Sequence, residues 1–350
     1  MALWLVRAGK HGQHEQRFLD EGRVYLMWGG IDRQNLAQCQ DRNAIRQALR
    51  RVMPDATEGA VSNGGSQMWA FVKRMEPGDW IVLPSKSKSA IHIGEVTGPY
   101  TYDPDQPAPY YHYRPVKWIE QDIPRSNFDQ DLLYSFGAFM TICQITRNDA
   151  ERRVRGMGDN GWKATTAGLF SKATTNGDTD DTAEETDADL EQVARDQIAK
   201  LIQAKFKGHS LAKLVDAVLQ AQGYTTYQSP EGPDKGVDIV AGRGPMGFEQ
   251  PRLCVQVKSG DSPLDRPTLD QLIGTMQNMQ AQYGLLVSWG GFKSTVDRER
   301  ATQFFRVRLW DQANLIEQLL RHYNELDEDL QAELPLKRIW TVSLPDEVGE

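Results

Sequence analysis

The sequence predicts an α/β protein overall, with a small N-terminal α+β barrel followed by a C-terminal α/β/α sandwich built on a mixed sheet. Three observations carry this prediction. The chain has 350 residues, more than one ordinary domain needs. Residues 172–192, "KATTNGDTDDTAEETDADLEQ", are rich in Thr and Asp and lack aromatics, so they cannot bury a core. The rhythm of elements also changes across that stretch, from many short strands to helices alternating with buried strands. The expected organisation is a domain over 1–160, an acidic flexible linker over 161–190, a second domain over 191–325 and a C-terminal extension over 326–350.

Along the N-terminal part, "ALWLVRAG", "RVYLMWGG", "GDWIVLPSK", "AIHIGEVTGPYTY" and "YHYRPVKWI" read as strands. They are rich in β-branched and aromatic residues and are bounded by Gly, Pro and Asp. "RQNLAQCQDRNAIRQALRRVM" and "GSQMWAFVKRM" read as helices. Short, numerous strands favour a small mixed barrel over a parallel sheet.

The second half opens on an amphipathic helix with Leu190, Val193, Ile198, Leu201 and Ile202 on one broad face. "HSLAKLVDAVLQAQGY" is the next helix, with Leu211, Leu214, Val215, Val218 and Leu219 at helical spacing and Gly223 suited to its C-terminal end. Ser210 stands near its N-cap. "GVDIVAGRGPMGFEQPRLCVQVKSG" is a strand pair around a Gly/Pro-rich turn, and "TLDQLIGTMQNMQAQYG" is a helix. "LLVSWGG" is a buried strand, "DRERATQFF" a helix, and "VRLWDQANLIEQLLRHY" a strand feeding a last helix. That order suits three layers around a mixed sheet.

Composition excludes several classes. Hydrophobic residues at 39% and charged residues at 25% describe a globular chain, and no apolar run approaches a membrane span. Cys39, Cys143 and Cys254 are scattered, and the six histidines form no HExxH or HxH pattern. A disulfide framework or a zinc site is not expected, and a reducing cytoplasm is. The net charge of −8 argues weakly against nucleic acid, because the acidity is local. Residues 151–190 carry about −4 and the last 26 about −6, which leaves 191–324 at about +2.

The chemistry concentrates on "LCVQVKSG", residues 253–260, an apolar strand carrying Gln256 and Lys258 on one face. Asp238 ends the preceding loop "SPEGPDKGVDI", and a hairpin brings neighbouring strands within about 5 Å, so the three can converge. A carboxylate and an amide oxygen suit a hard cation such as Mg²⁺, and a lysine can hold or polarise water for in-line attack on phosphorus. The structural alternative is Lys258 with its head at the surface and Gln256 bonded to backbone. Asp234 and Lys235 more simply shape the loop, and Cys254 packs in the core.

"GPDKGVDI…LCVQVKSG" resembles the catalytic core of Mrr-like (type IV) restriction endonucleases in the PD-(D/E)xK superfamily, in its D–QxK variant. The resemblance covers roughly residues 205–320 and extends to "GLLVSWGGF" and "VRLWDQANL". It implies a restriction-endonuclease-like sandwich and catalytic residues Asp238, Gln256 and Lys258, of which Asp238 and Gln256 hold Mg²⁺ or Mn²⁺. It further implies hydrolysis of double-stranded DNA, modified or not, by a homodimer or higher homo-oligomer in restriction or antiviral defence. One departure matters: the early-helix Glu of that family falls at Ala212, after Leu211. His209, one turn earlier, could reach the same side as a further catalytic group.

More loosely, "GDWIVLP" (78–84), "IHIGEVTG" (91–98) and "HYRPVKWI" (112–119) resemble the PUA-like barrels that include EVE domains. That resemblance implies a reader of a modified base stacked between rings. Trp4, Tyr25, Trp28, Trp69, Tyr100 and Trp118 supply rings, and Lys86, Lys88 and Arg114 could meet phosphates. The alternatives are a nuclease effector whose N-terminal domain senses a small nucleotide or a protein, and a catalytically weak DNA-binding protein with a degenerate nuclease fold.

Overall fold

The computed structural model of the chain describes residues 1–31, 33–138, 140–163, 190–230 and 236–340. They divide into two units, Met1–Val193 and Ala194–Ile339. The expected linker lies almost wholly outside the described residues, as do Asp234, Lys235 and the end of the C-terminal extension.

The first unit runs β1 (Leu3–Val6), α1 (Glu15–Glu21), β2 (Arg23–Tyr25), α2 (Arg42–Val52) and α3 (Glu58–Trp69). It continues through β3 (Trp80–Pro84), β4 (Ala90–Val96), β5 (Thr101–Tyr102), β6 (His112–Pro124), α4 (Gln130–Phe136), β7 (Ile142–Gln144) and α5 (Ala150–Asp159). Six strands pair in the order β2-β6-β4-β3-β1-β7, and β5 adds to β6. Among the described residues only β1 and β3 run parallel. Among the described residues no pairing joins β7 back to β2.

Two helices differ from their sequence reading. The single helix expected over 33–53 breaks, because Asp41 caps a fresh helix by accepting from the Ala44 N–H. Leu36–Gln38 form only one tight turn before it. The helix expected from Gly65 begins earlier, where the Thr57 hydroxyl accepts from the Ala60 N–H. Hydroxyl and carboxylate caps outweigh the glycines that follow.

The strand pairing of β4 and β6 depends on one glycine. Gly94 lies opposite Trp118, and a Cβ there would meet Val116 Cγ1 at 2.5 Å and Trp118 Cε3 at 2.9 Å. The indole fills the missing side chain's place.

The second unit contains most of α6 (Leu190–Lys205), then α7 (Ser210–Ala221), β8 (Thr225–Gln228), β9 (Ile239–Arg243), β10 (Glu249–Lys258), α8 (Arg266–Asn278) and β11 (Tyr283–Ser288). It closes with α9 (Ser294–Asp297), α10 (Glu299–Thr302), β12 (Val307–Trp310), α11 (Gln312–Arg321) and α12 (Glu328–Glu333). The sheet order is β12-β11-β10-β9-β8. β10, β11 and β12 are parallel, while β9 runs antiparallel to both β8 and β10.

Alternation along β10 sorts two cores onto opposite faces. Val255 packs with Leu211, Val215 and Leu219 of α7 and Leu315 and Leu319 of α11. Cys254 packs with Leu269, Leu272 and Met276 of α8 and Val296 of α9. Helices therefore cover both faces of a mixed sheet. Within α6, Ile202 is buried and Ile198 and Leu201 pack on the same core, but Leu190 is exposed. The apolar face begins later than its pattern suggested.

The β9–β10 hairpin is tightest at Gly242, where a Cβ would stand 2.0 Å from the Gly247 carbonyl oxygen. Backbone cannot yield as a side chain can, so Gly242→Ala is expected to lower the stability of the second unit by about 3 kcal/mol. Denaturant unfolding followed by tryptophan fluorescence checks this.

Candidate active site

The carboxyl end of β10 carries Gln256 and Lys258 on the side of the strand that faces α8. The antiparallel register pairs Val255 with Ile239, so Asp238, one residue earlier, arrives beside the end of β10. Its backbone is fixed twice: the Asp238 N–H donates to the Val255 carbonyl at 2.9 Å, and the Ser229 N–H donates to the Asp238 carbonyl at 2.8 Å. The Asp238 carboxylate in turn accepts from the Val257 N–H at 2.6 Å on Oδ2. A charge-assisted bond of that kind locks the carboxylate against the neighbouring strand.

A cleft of about 590 Å³ opens at this end of the sheet. Asp238, Val257 and Lys258 line it together with Ser259, Gly260, Ser262 and Leu264 of the following loop. Ala212 of α7 joins them, with Gly208 and His209 just before that helix. The structure thus brings Asp238, Lys258 and His209 to one cavity and sets Ala212 in its wall. Open α/β sheets place their binding crevices at the carboxyl ends of strands, and this cleft has that position on β10.

Gln256 behaves differently. It is only 1% exposed and does not line the cleft. Its Oε1 is buried with no hydrogen-bond partner among the described residues. Leaving a carbonyl oxygen so costs about 1–3 kcal/mol. A backbone-bonded Gln256, the structural alternative, is therefore not satisfied at that atom. A Cβ on Gly236, which has φ +80°, would lie 3.7 Å from Gln256 Nε2 and 3.2 Å from Gln271 Nε2. The glycine lets the loop pass close over both amides.

These donors fit a hard divalent cation. The orphaned amide oxygen of Gln256 and the carboxylate of Asp238 are both oxygen ligands, as such ions require. Among the described residues no group of three or more His, Cys, Asp or Glu side chains is placed to hold a metal ion. Cys254 shares the neighbourhood: burial first, and the Asp238 charge second, push its thiol up to about 11. It is a packing residue and not a thiolate nucleophile. Lys258 lines the cleft and makes no ion pair or side-chain hydrogen bond among the described residues.

Sequence reasoning missed Gln228. From the sequence no element is assigned to 225–228, yet these residues add an edge strand to β9. Its last residue, Gln228, places Nε2 3.2 Å from His209 Nε2 and orients that ring. The alternation in "TTYQ" was the available signal, with Thr226 and Gln228 half-buried and Thr225 and Tyr227 exposed.

The expected DNA-contacting residues of the first unit separate. Arg114 is corrected: it is 3% exposed and donates to the Phe71, Val72 and Gly98 carbonyls at 2.6, 3.1 and 3.4 Å. Burial lowers its guanidinium to about 10, and it cannot meet a phosphate from there. Trp28 is also corrected: it is buried in the core, against Gly64. Trp4 and Tyr25 are buried likewise. Lys86 is exposed, Lys88 pairs with Asp122 at 3.2 Å, and Trp118 is half-buried, its indole N–H on the Phe18 carbonyl. Trp69 and Tyr100 are half-buried against the same core.

The 85–89 loop is held from below by a buried carboxylate. Glu15 accepts from Ser85 Oγ at 2.8 Å, from the Lys86 N–H at 3.2 Å and from Ser87 Oγ at 3.3 Å. His92 Nδ1 accepts from the Asp122 N–H at 3.1 Å, which leaves the proton on Nε2, 3.3 Å from Glu15. Burial alone would raise the Glu15 pKa, but the bonds from His92, Ser85 and Lys86 outweigh it and hold the carboxyl below its usual range.

Comparison with known proteins bears on both units. Residues 203–319 match the family model described as a restriction endonuclease, Mrr_cat. Residues 4–142 match a family described only as a domain of unknown function, DUF8426. No curated protein matches the chain. Among solved structures, the MspJI restriction endonuclease in complex with a 27-mer oligonucleotide is 12% identical, over 96% of this chain and 80% of that one, with a TM-score of 0.32. The DNA modification-dependent restriction endonuclease AspBHI is 13% identical, over 90% and 80%, with a TM-score of 0.33. Scores this low establish no shared overall fold. The family match does establish that the second unit carries a restriction endonuclease catalytic domain, and so a deoxyribonuclease. Such domains generally use divalent metals.

Two outcomes test the roles assigned to buried charge in the first unit. Arg114→Met strands three buried carbonyls, and thermal melting is expected to show a loss of about 3 kcal/mol or more. For Glu15 the folded pKa lies below the unfolded one. Its contribution is complete above the unfolded value and is lost as pH falls through the lowered folded value. Glu15→Gln is therefore expected to lower the melting temperature near neutral pH and to flatten its fall between pH ~5 and ~3.

Proposed function

We propose that this deoxyribonuclease is a Mg²⁺- or Mn²⁺-dependent endonuclease of double-stranded DNA, with its active site in the cleft at the end of β10. The observation that carries the reading is the meeting of Asp238 and Lys258 in one cleft, with Gln256, whose Oε1 is buried and unpartnered, opposite Asp238 in the register of β10 on β9. In this reading Asp238 Oδ and Gln256 Oε1 hold the ion. When bound, the ion supplies charge stabilisation for the phosphoryl oxygens.

The chain's own groups do the rest. Lys258 donates a hydrogen bond that holds the attacking water in line with the scissile phosphorus. As the new P–O bond forms, the attacking water gives up a proton to solvent, the bond to the leaving sugar oxygen breaks, and that oxygen takes up a proton from solvent, so that no net proton is consumed in the step. The Val257 N–H keeps the Asp238 carboxylate from rotating away while this happens. Gln228 holds His209 at the cleft wall, where a ring N–H can meet a phosphate oxygen. Because both strands of a duplex must be cut, two copies of the site act together in a homo-oligomer.

The first unit is proposed as the reader of DNA, modified or not, on a barrel of PUA/EVE-like type. Lys86 and Trp118 remain its candidate contacts, since Arg114 and Trp28 serve the interior. Lys88 joins them if its pair with Asp122 opens. Restriction of foreign DNA in defence follows from a weakly selective nuclease tethered to a reader.

The test uses purified chain with Mg²⁺ or Mn²⁺ on methylated and unmethylated plasmid. Cleavage is expected, with chelator abolishing it. Asp238→Ala and Lys258→Ala are each expected to slow it about 100-fold or more. Cleavage by Lys258→Ala at the parent's rate would remove the mechanism.

A further inference from the structure

The sheet of the second unit has another end, away from the cleft. Because β10, β11 and β12 are parallel, their amino ends lie together, opposite the carboxyl end where the cleft opens. Three segments surface there: the β9–β10 turn with Met246 and Phe248, the entry to β11 with Met279 and Tyr283, and the entry to β12 with Phe304 and Phe305. All six side chains are exposed, Phe305 at 83%. The Gly284 N–H donates to the Arg306 carbonyl at 2.8 Å, and the Arg252 N–H to Gln282 Oε1 at 3.1 Å, which joins the segments into one surface. The Phe304 and Phe305 rings meet edge to face at 5.3 Å, and the Arg308 guanidinium lies 4.1 Å over Phe304.

Charge on this surface is one-sided. Across 246–252, 279–283 and 303–308, Arg252, Arg306 and Arg308 are exposed against a single carboxylate, Glu249. Among the described residues none of the three arginines makes an ion pair; Arg252 and Arg308 donate to the Phe248 and Phe304 carbonyls. An apolar surface of this extent marks an interaction site. Phe, Tyr, Met and Arg are the residues enriched at the centres of protein interfaces, and lysine, which nucleic-acid sites use freely, is absent from all three segments. The chemistry therefore fits a protein surface with carboxylates around an apolar anchor.

The same chain carries such a surface. Residues 324–336 hold Glu325, Asp327, Glu328, Asp329 and Glu333 and no Lys or Arg. All five carboxylates are exposed, and none pairs with a cation among the described residues. Beyond them the Leu336 N–H is tied to the Tyr323 hydroxyl at 3.0 Å, and the chain then presents Ile339 and Trp340, the latter 97% exposed. Lys337 and Arg338 stand between and offset the acids only in part. Within one copy the end of α12 is fixed on the cleft side, since the Glu333 carbonyl accepts from Lys205 Nζ at 2.7 Å, three residues before Gly208 of the cleft wall. The arginines stand at the other end of the sheet.

We infer that a second copy of this chain docks on the amino end of the sheet, its acidic α12 segment against the arginines and its Trp340 among the phenylalanines. The two faces differ, so the contact is heterologous. Each pair of copies keeps one free face of each kind, and assembly continues to a ring or an open filament. The inference deepens the homo-oligomer of the reading above, on which it rests for the need to assemble, by naming the faces that meet.

The test uses the full-length chain and two variants. Phe305→Glu with Arg306→Glu spoils the receiving face, and Trp340→Ala with Asp329→Lys spoils the donating face. All four positions are exposed, so parent-like thermal melting is expected; Arg308→Glu alone serves if the first variant melts early. Sedimentation velocity over a range of protein concentrations reads the assemblies. The parent is expected to grow in mass with concentration, and each variant to stop at a smaller species, its association weakened ~30-fold or more. Mixing the two variants restores one intact contact, between the sound receiving face of one and the sound donating face of the other, and is expected to bring back a heavier species.

A parent that stays a single copy, or variants that associate as strongly as the parent, would overturn the inference. A mixture no heavier than its parts would do the same. Loss of binding to duplex or single-stranded DNA by the receiving-face variant, with its mass equal to the parent's, would assign the surface to nucleic acid instead. Lys258-dependent plasmid cleavage in Mg²⁺ tests the nuclease reading separately. Its persistence beside any of these failures removes the inference alone, and its absence beside a restored mixture removes that reading alone.

Discussion

The register between β9 and β10 is the constraint on which the site depends. Pairing Val255 with Ile239 sets Asp238 at the end of β10, where its carboxylate takes the Val257 N–H. A slip of one residue would turn every side chain of β10 to the other face. Gln256 and Lys258 would then point toward α7, and Val255 would lose the packing it has with Leu211 and Leu315. The apolar core and the polar site are specified by the same pairing, so the site is as stable as the core beneath it.

That arrangement leaves one polar atom unsatisfied. Gln256 Oε1 is buried without a partner, in a strand otherwise well packed between two cores. Natural folds retain such groups where function needs them and stability elsewhere offsets their cost. Here the residue stands opposite Asp238 in the strand pairing and two positions before Lys258 at a strand's carboxyl end, where phosphoryl chemistry needs oxygen donors and a positive charge.

Much of the second unit was legible in the sequence, and the reasons are physical. Helical spacing in α7 and the run "LLVS" within β11 follow directly from burial on one or both faces, and Asp238 with "QVK" announces itself as polar groups in apolar strands. The edge strand β8 escaped because exposed Thr225 and Tyr227 give it little apolar signal, and with it went Gln228 as the partner of His209. In the first unit the limit was different. A sequence shows that Arg114 and Trp28 exist but not which way they face. Arg114 resembles a phosphate contact until its three backbone carbonyls are seen. Basic residues in a small unit serve the interior as readily as a ligand. The Glu15–His92–Ser85 network was likewise invisible, because Glu15 stands 70 positions from Ser85 and 77 from His92.

The most direct measurement of where the ion sits is iron-mediated cleavage of the protein itself. Fe²⁺ replaces Mg²⁺ in the presence of duplex DNA, and ascorbate with peroxide generates hydroxyl radicals at the ion. Polypeptide cuts clustered near Asp238 and around Gln256–Lys258, suppressed by excess Mg²⁺, are the result expected of a metal held at the end of β10. Cuts confined to other segments, with those positions intact, would contradict it.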